Sequence, residues 1–196
     1  MIKTLQISEK EAWDLAFNAL VNNNTSEDNA KEVADALISA EFDGQAGHGL
    51  SRIPSYVEQL TAGKVKGTEA PSIISSKGSV IRVDAKNGFA YPAISLALKE
   101  ITTACKKFGI AAASITRSHH FGQAGRHVEI LADNGLIGLM FGNTPKAIPP
   151  WGGTKALFGT NPIAFSAPRE NDAPIVIDMS LSKVARGTVM AAYQEG

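Results

Sequence analysis

Four histidines occur in this 196-residue chain, and three of them crowd into R-S-H-H-F-G-Q-A-G-R-H, residues 117–127. Imidazole at its ordinary pKa, roughly 6.5, can bind a transition metal, move a proton near neutral pH, or simply fill space in a turn. His120 and His127 lie two helical turns apart, too far to share one ion on a continuous helix. No H-E-x-x-H and no C-x-x-C pair offers the usual zinc spacing. No metal is therefore expected, and His127 reads as a helix-surface or packing residue. His119 and His120 follow an apolar segment and precede glycines 122 and 125, a strand-to-helix turn of the kind where α/β proteins collect ligands. Adjacent side chains point apart, so one of the pair is expected to face a site. A histidine hydrogen-bonded in a turn remains the competing reading.

Three further stretches could serve such a site. G-H-G-L-S-R places His48 and Arg52 in a glycine-rich turn ahead of a helix, where a guanidinium can grip a carboxylate bidentately; a solvated surface loop is the alternative. Asn143 and Thr144 end an apolar segment and begin a loop with four prolines, rigid enough to fix backbone polar groups. In I-D-M-S, Asp178 follows another apolar segment, where a carboxylate either caps a helix or holds a polar group of a cofactor.

The elements that must position these residues follow from periodicity and punctuation. Ser8 and Glu11 form a capping box, predicting a helix to about Val21. Thr25 or Ser26 opens a second helix over 27–42, and a third is predicted from Ile53 to Thr61. From Pro71 the texture changes. Two short strands flank Lys77-Gly78, and a long helix ends at Gly109. The run 110–116 reads as a buried strand, and a helix over A-G-R-H-V-E-I-L-A-D follows the histidines. L-I-G-L-M-F, I-A-F-S-A-P and A-P-I-V-I-D-M-S read as three more strands. A helix is expected to start at S-K-V-A-R-G, where the chain soon stops without a capping signal. The expected fold is α/β, with a helical segment (1–70) before an α/β part (71–196).

Composition removes several classes. Lys plus Arg (19) balance Asp plus Glu (19), which leaves no single-sign field for nucleic acid or an anionic membrane. The single cysteine, Cys105, allows no intrachain disulfide and reads as structural. No apolar run reaches membrane-spanning length and no signal peptide is visible, so the cytoplasm is the expected location. G-x-G-x-x-G, the P-loop and G-x-S-x-G are all missing.

Taken together, G-H-G-L-S-R-I-P-S-Y-V-E-Q-L-T-A-G-K-V, S-H-H-F-G-Q-A-G-R-H-V-E, P-P-W-G-G-T-K-A-L-F-G-T-N-P-I-A-F-S-A-P-R and I-V-I-D-M-S-L-S-K-V-A-R-G resemble the malate/L-lactate dehydrogenase family, in order and over nearly the whole chain. The resemblance implies a non-Rossmann, mixed-sheet domain that binds NAD or NADP, and a homodimer. It also implies hydride transfer to or from a small-molecule carboxylate substrate: a 2-hydroxy or 2-keto acid, or a cyclic imino acid. By position it assigns the acid/base to His120, with His48 as proton donor in some members and Arg52 suited to the substrate carboxylate. Thr144, Asp178, Met179 and Ser180 fall on cofactor contacts. Two positions depart from the family pattern: Gly47 where serine is frequent, and His119 where asparagine is. Family members continue past residue 196, so the chain is expected to be an N-terminal portion with an incomplete cofactor domain. The alternative expectation is a truncated, non-catalytic paralogue that binds a ligand or partner.

Overall fold

The computed structural model describes residues 6–182. The helix expected from S-K-V-A-R-G falls mostly outside that range. By compactness the chain divides into Met1–Gly122 and Gln123–Gly196, a different division from the textural one at residue 70.

In the first unit, α1 (Glu9–Val21) begins at a complete capping box. The Ser8 hydroxyl accepts from the Glu11 amide, and the Glu11 carboxylate accepts from Ser8 N–H at 2.8 Å. Helix α2 (Glu27–Phe42) starts at Ser26, without a side-chain cap, and runs alanine-rich along its buried face. Two single-turn 3-10 helices, Ala46–His48 and Leu50–Arg52, lead into α3 (Ile53–Thr61), whose Pro54 stands in the first turn. Leu20, Val33 and Leu37 pack with Tyr56, Val65, Phe89 and Tyr91 into one core.

Strands β1 (Ser72–Lys77) and β2 (Val80–Asp84) pair antiparallel, and β2 pairs in parallel with β3 (Ala112–Thr116). The parallel step requires a crossover, which α4 (Ala90–Phe108) supplies. Alternation on β2 is strict: Ile81 and Val83 are buried under Ala93 and Ala97 of α4, while Val80 and Arg82 face out. Gly109 ends α4 with φ +80, the left-handed conformation that glycine adopts without cost. The apolar run 110–116 was expected to be buried, but β3 is mostly exposed. It is an edge strand, and its short Ala112, Ala113 and Ser114 side chains leave Ile115 to make the contact with the core.

In the second unit, α5 (Ala124–Asp133) lies on an antiparallel sheet of β4 (Gly138–Phe141), β5 (Ile163–Arg169) and β6 (Asp172–Met179), in the order β4-β5-β6. Ser166 is fully buried and its hydroxyl donates to the Val128 carbonyl at 2.5 Å. Gly138 sits opposite Ser166, where a Cβ would come within 2.7 Å of that hydroxyl. Small residues on this face let the helix approach. His127 is buried in α5, a packing position rather than a surface one. The fold is mixed α/β, and the described residues form one mixed and one antiparallel sheet.

Candidate functional site

The histidine pair is held by backbone that the two loops at the ends of β2 and β3 share. Ala85 N–H donates to the Thr116 carbonyl at 3.0 Å, Asn87 N–H to Arg117 at 2.8 Å, and His119 N–H to Gly88 at 3.2 Å. Lys86, Asn87 and Arg117 all have positive φ, an uncommon conformation for side chains of this size. The Asp84 carboxylate offsets part of this cost, accepting from Lys86 N–H at 2.8 Å and pairing with the Arg117 guanidinium. That pairing lowers the Asp84 pKa and raises that of Arg117.

His120 lies where this loop meets the 3-10 turns. Its ring stacks on His48, with centroids 5.7 Å apart and planes 9° apart. Tyr56 Oη lies 2.8 Å from His120 Nδ1 and 3.0 Å from Tyr91 Oη. Gly122 N–H also donates to His120 Nδ1, at 3.3 Å. His119 does not point away from this group. Its Nε2 lies 2.9 Å from Gln59 Oε1, and its ring stands edge-on to Tyr56 and Phe89 at 5.0 and 5.7 Å. The two neighbouring imidazoles therefore flank one tyrosine.

Arg52 is anchored by Nε–H donation to the Gly47 carbonyl at 2.5 Å. The turn that carries it is tied to α2, where Glu41 Oε1 accepts from Leu50 N–H at 2.7 Å. Gly49 permits this, since any Cβ there would collide with the Glu41 carboxylate. Burial, then the Arg52, His48 and His119 charges, push the His120 pKa down to about 3. Burial, Lys64 and Arg52 push that of His119 down to about 4. Both rings are thus neutral near pH 7, beside a permanent positive charge.

The residues expected to meet a cofactor lie in the second unit. Thr144 N–H donates to Asn161 Oδ1 at 3.0 Å, and Thr144 Oγ1 accepts from Asn161 N–H at 3.3 Å and lies 3.2 Å from Thr160 Oγ1. The Thr160 carbonyl in turn accepts from Leu181 N–H at 2.8 Å, joining this loop to the segment after β6. Ser180 bonds within that segment, to Ser182. Asp178 Oδ2 accepts from Gly125 N–H at 2.7 Å. It therefore caps the start of α5, fifty-three residues earlier; the helix expected to follow it lies almost wholly outside the described residues. Met179 pairs with Ile163 on β5. Among the described residues no group of three or more His, Cys, Asp or Glu side chains could hold a metal.

The first unit thus brings His48 and His120 together, with the Arg52 charge acting on His120, while Thr144, Asp178, Met179 and Ser180 all lie in the second unit, each with partners of its own. Tyr56, Tyr91 and Gln59 were not anticipated as site residues. Tyr56, in the first turn and a half of α3, stands four residues after Arg52, the residue just before that helix, and this spacing was the available signal.

Fold and site together define a class: a mixed α/β protein without a dinucleotide glycine fingerprint, carrying half-buried neutral histidines beside a guanidinium. The chain belongs to the malate/L-lactate dehydrogenase family, which it matches over residues 7–196. It is 49% identical over 190 residues to a (2R)-3-sulfolactate dehydrogenase (NADP(+)) of Chromohalobacter salexigens, covering 97% of this chain and 57% of that protein. To a Delta(1)-pyrroline-2-carboxylate/Delta(1)-piperideine-2-carboxylate reductase of Pseudomonas syringae pv. tomato it is 38% identical, over 98% of this chain and 56% of the relative. A malate dehydrogenase structure from Entamoeba histolytica superposes with a TM-score of 0.93 at 27% identity, over 99% of this chain and 54% of that one. The chain spans a little over half the length of the curated relatives it matches. Among the described residues, no helix is long and apolar enough to cross a membrane.

Proposed function

We propose that the chain carries the substrate site and part of the cofactor site of an NAD(P)-dependent oxidoreductase acting on a small 2-hydroxy, 2-keto or cyclic imino carboxylic acid. The observation that carries this reading is the stacked His48–His120 pair at 5.7 Å beside the charge of Arg52. Arg52 orients the substrate carboxylate, and holding one end of a small acid fixes its carbonyl or imine carbon for attack. His120, with His48 stacked on it, handles the proton on the attached oxygen or nitrogen.

A nicotinamide nucleotide, when bound, supplies or accepts the hydride. Thr144, Asp178, Met179 and Ser180 would hold it; their hydroxyl, amide and carboxylate groups suit its neutral carboxamide and ribose hydroxyls. In this reading His48 and Arg52 come from the helical segment 1–70 and His120 from the 71–196 part, which also carries the cofactor residues. Family resemblance supports a homodimer. The sulfolactate and cyclic-imine relatives narrow the substrates to test first.

The test is oxidation of NADH and NADPH with 3-sulfopyruvate, oxaloacetate, pyruvate and a cyclic imino acid, beside calorimetric binding of the same acids. His120→Ala should lower kcat by roughly 10²- to 10⁴-fold and keep cofactor binding. Arg52→Met should weaken binding of the acids without turnover being needed to see it. An unmodified chain that binds none of the acids and neither nucleotide defeats the reading.

A further inference from the structure

Gly122 N–H can only donate, so the His120 Nδ1 that receives it at 3.3 Å carries no hydrogen. The hydrogen of the neutral ring then lies on Nε2. Tyr56 Oη, 2.8 Å from the same Nδ1, must donate to it as well. Having spent its one hydrogen there, Tyr56 can meet Tyr91 Oη at 3.0 Å only by accepting. One ordered chain results, with Tyr91 donating to Tyr56 and Tyr56 to His120.

Resting on the oxidoreductase reading above, we propose that Tyr56, set by Tyr91, is a positioning residue that locks His120 as the Nε2–H tautomer, so that His120 presents a hydrogen-bond donor to the substrate's carbonyl oxygen or imine nitrogen. A donor there polarises the C=O or C=N bond as hydride arrives and suits the reduction direction. The reverse tautomer would present a lone pair to a substrate oxygen that carries lone pairs of its own.

The surroundings hold this chain in place. Tyr56 is 1% exposed, and burial pushes its phenol pKa well up, so it stays a donor. His119 and Phe89 brace its ring edge-on and tilted, at 5.0 and 5.6 Å. Gly122 (φ +67) leaves room for Tyr91, whose Oη would lie 2.5 Å from a Cβ at that position. The glycine after His-Phe thus serves the chain twice. It donates to Nδ1, and it makes space for the tyrosine two links back.

Long-range proton–nitrogen NMR of the ¹⁵N-histidine-labelled chain near pH 7.5 reads the tautomer directly and needs no turnover. His120 should show a protonated Nε2 and a bare Nδ1. Tyr56→Phe, isosteric and checked for folding by circular dichroism, should mix the tautomers. In the turnover assay it should lower kcat on the order of tenfold or more with KM changed much less. Tyr91→Phe removes the donor to Tyr56, should shift the same signals by less, and serves if Tyr56→Phe does not fold. A protonated Nδ1 on His120, or tautomer signals and kcat both unmoved by either variant, overturns the proposal. Absence of turnover with every acid counts against the oxidoreductase reading while the tautomer remains decided by NMR.

Discussion

The two units spend similar apolar sequence in opposite ways. In Met1–Gly122 the large side chains close on one another: Leu20, Leu37, Val33, Tyr56 and Phe89 are all buried, and the histidine site is built into that packing. In Gln123–Gly196 the sheet buries only the face under α5. Register places Leu139 beside Phe165 and Ile177, and Phe141 beside Ile163 and Met179, all on the other face. Most of that face is open, with Phe141 70% exposed and Leu139 60%. Burial is what lowers the histidine pKa values and fixes the tyrosine chain, so chemistry that depends on desolvation belongs to the first unit. The candidate cofactor residues instead sit on a hydrogen-bonded loop, Thr144 with Asn161, and at the end of β6, where Asp178 accepts from Gly125 of α5, neither of which needs a deep core.

The largest effect that separates the units is a core truncation. Leu37 is fully buried, and Leu37→Ala should destabilise the first unit by about 2–5 kcal/mol. Trp13, half-buried in α1 with its indole N–H donating to Asp35 at 2.6 Å, reports that unit by fluorescence in urea. An unchanged midpoint would mean that this core is not closed in solution.

Acid should act next, and again on the first unit. His119 and His120 have folded pKa values lowered to about 4 and about 3, against 6.5 unfolded. Below pH 6.5 the unfolded chain takes up protons that the folded chain refuses, so it holds more of them. Stability is therefore fully present above pH 6.5 and falls as pH drops toward 4 and then 3. Each ring contributes up to about 1.4 kcal/mol per pH unit inside its window. Urea midpoints of the Trp13 signal between pH 7.5 and 4.5 check this, and His119→Gln with His120→Gln should flatten the slope.

Local punctuation was legible in the sequence wherever one residue type answers one backbone need. The Ser8–Glu11 box set the start of α1, and Gly109 marked the end of α4. The His48, Arg52 and His120 grouping followed from the family motifs. What could not be read depends on distant partners. Tyr56 looks like any aromatic residue on a helix's apolar stripe, and its role comes from Tyr91 and His120, thirty-five and sixty-four residues away. Asp178 was legible as a cap or a ligand contact, but the helix it caps lies behind it in sequence. The runs at β3, β4 and β6 announce strands and say nothing of what covers them.

Asp178 gives the next, smaller contrast. Asp178→Ala removes the acceptor and the negative charge at the start of α5, which should cost about 0.5–2 kcal/mol. The loss belongs to the second unit, so amide exchange of α5 should rise while the Trp13 midpoint holds. A matching fall in the Trp13 midpoint would break the separation.

The smallest expected effect is the sharpest test of the comparison. A side chain already facing water loses little when made polar, so Phe141→Ser should change stability by no more than about 0.5 kcal/mol. Leu139→Thr on the same face should behave alike. The same kind of change at a buried aromatic would cost several times as much. Exchange protection across β4 and β5 reads the effect locally. If Phe141→Ser instead loosens those strands as severely as Leu37→Ala loosens the first unit, this face is covered in solution, and the asymmetry between the units would lie in what each is packed against rather than in how each is built.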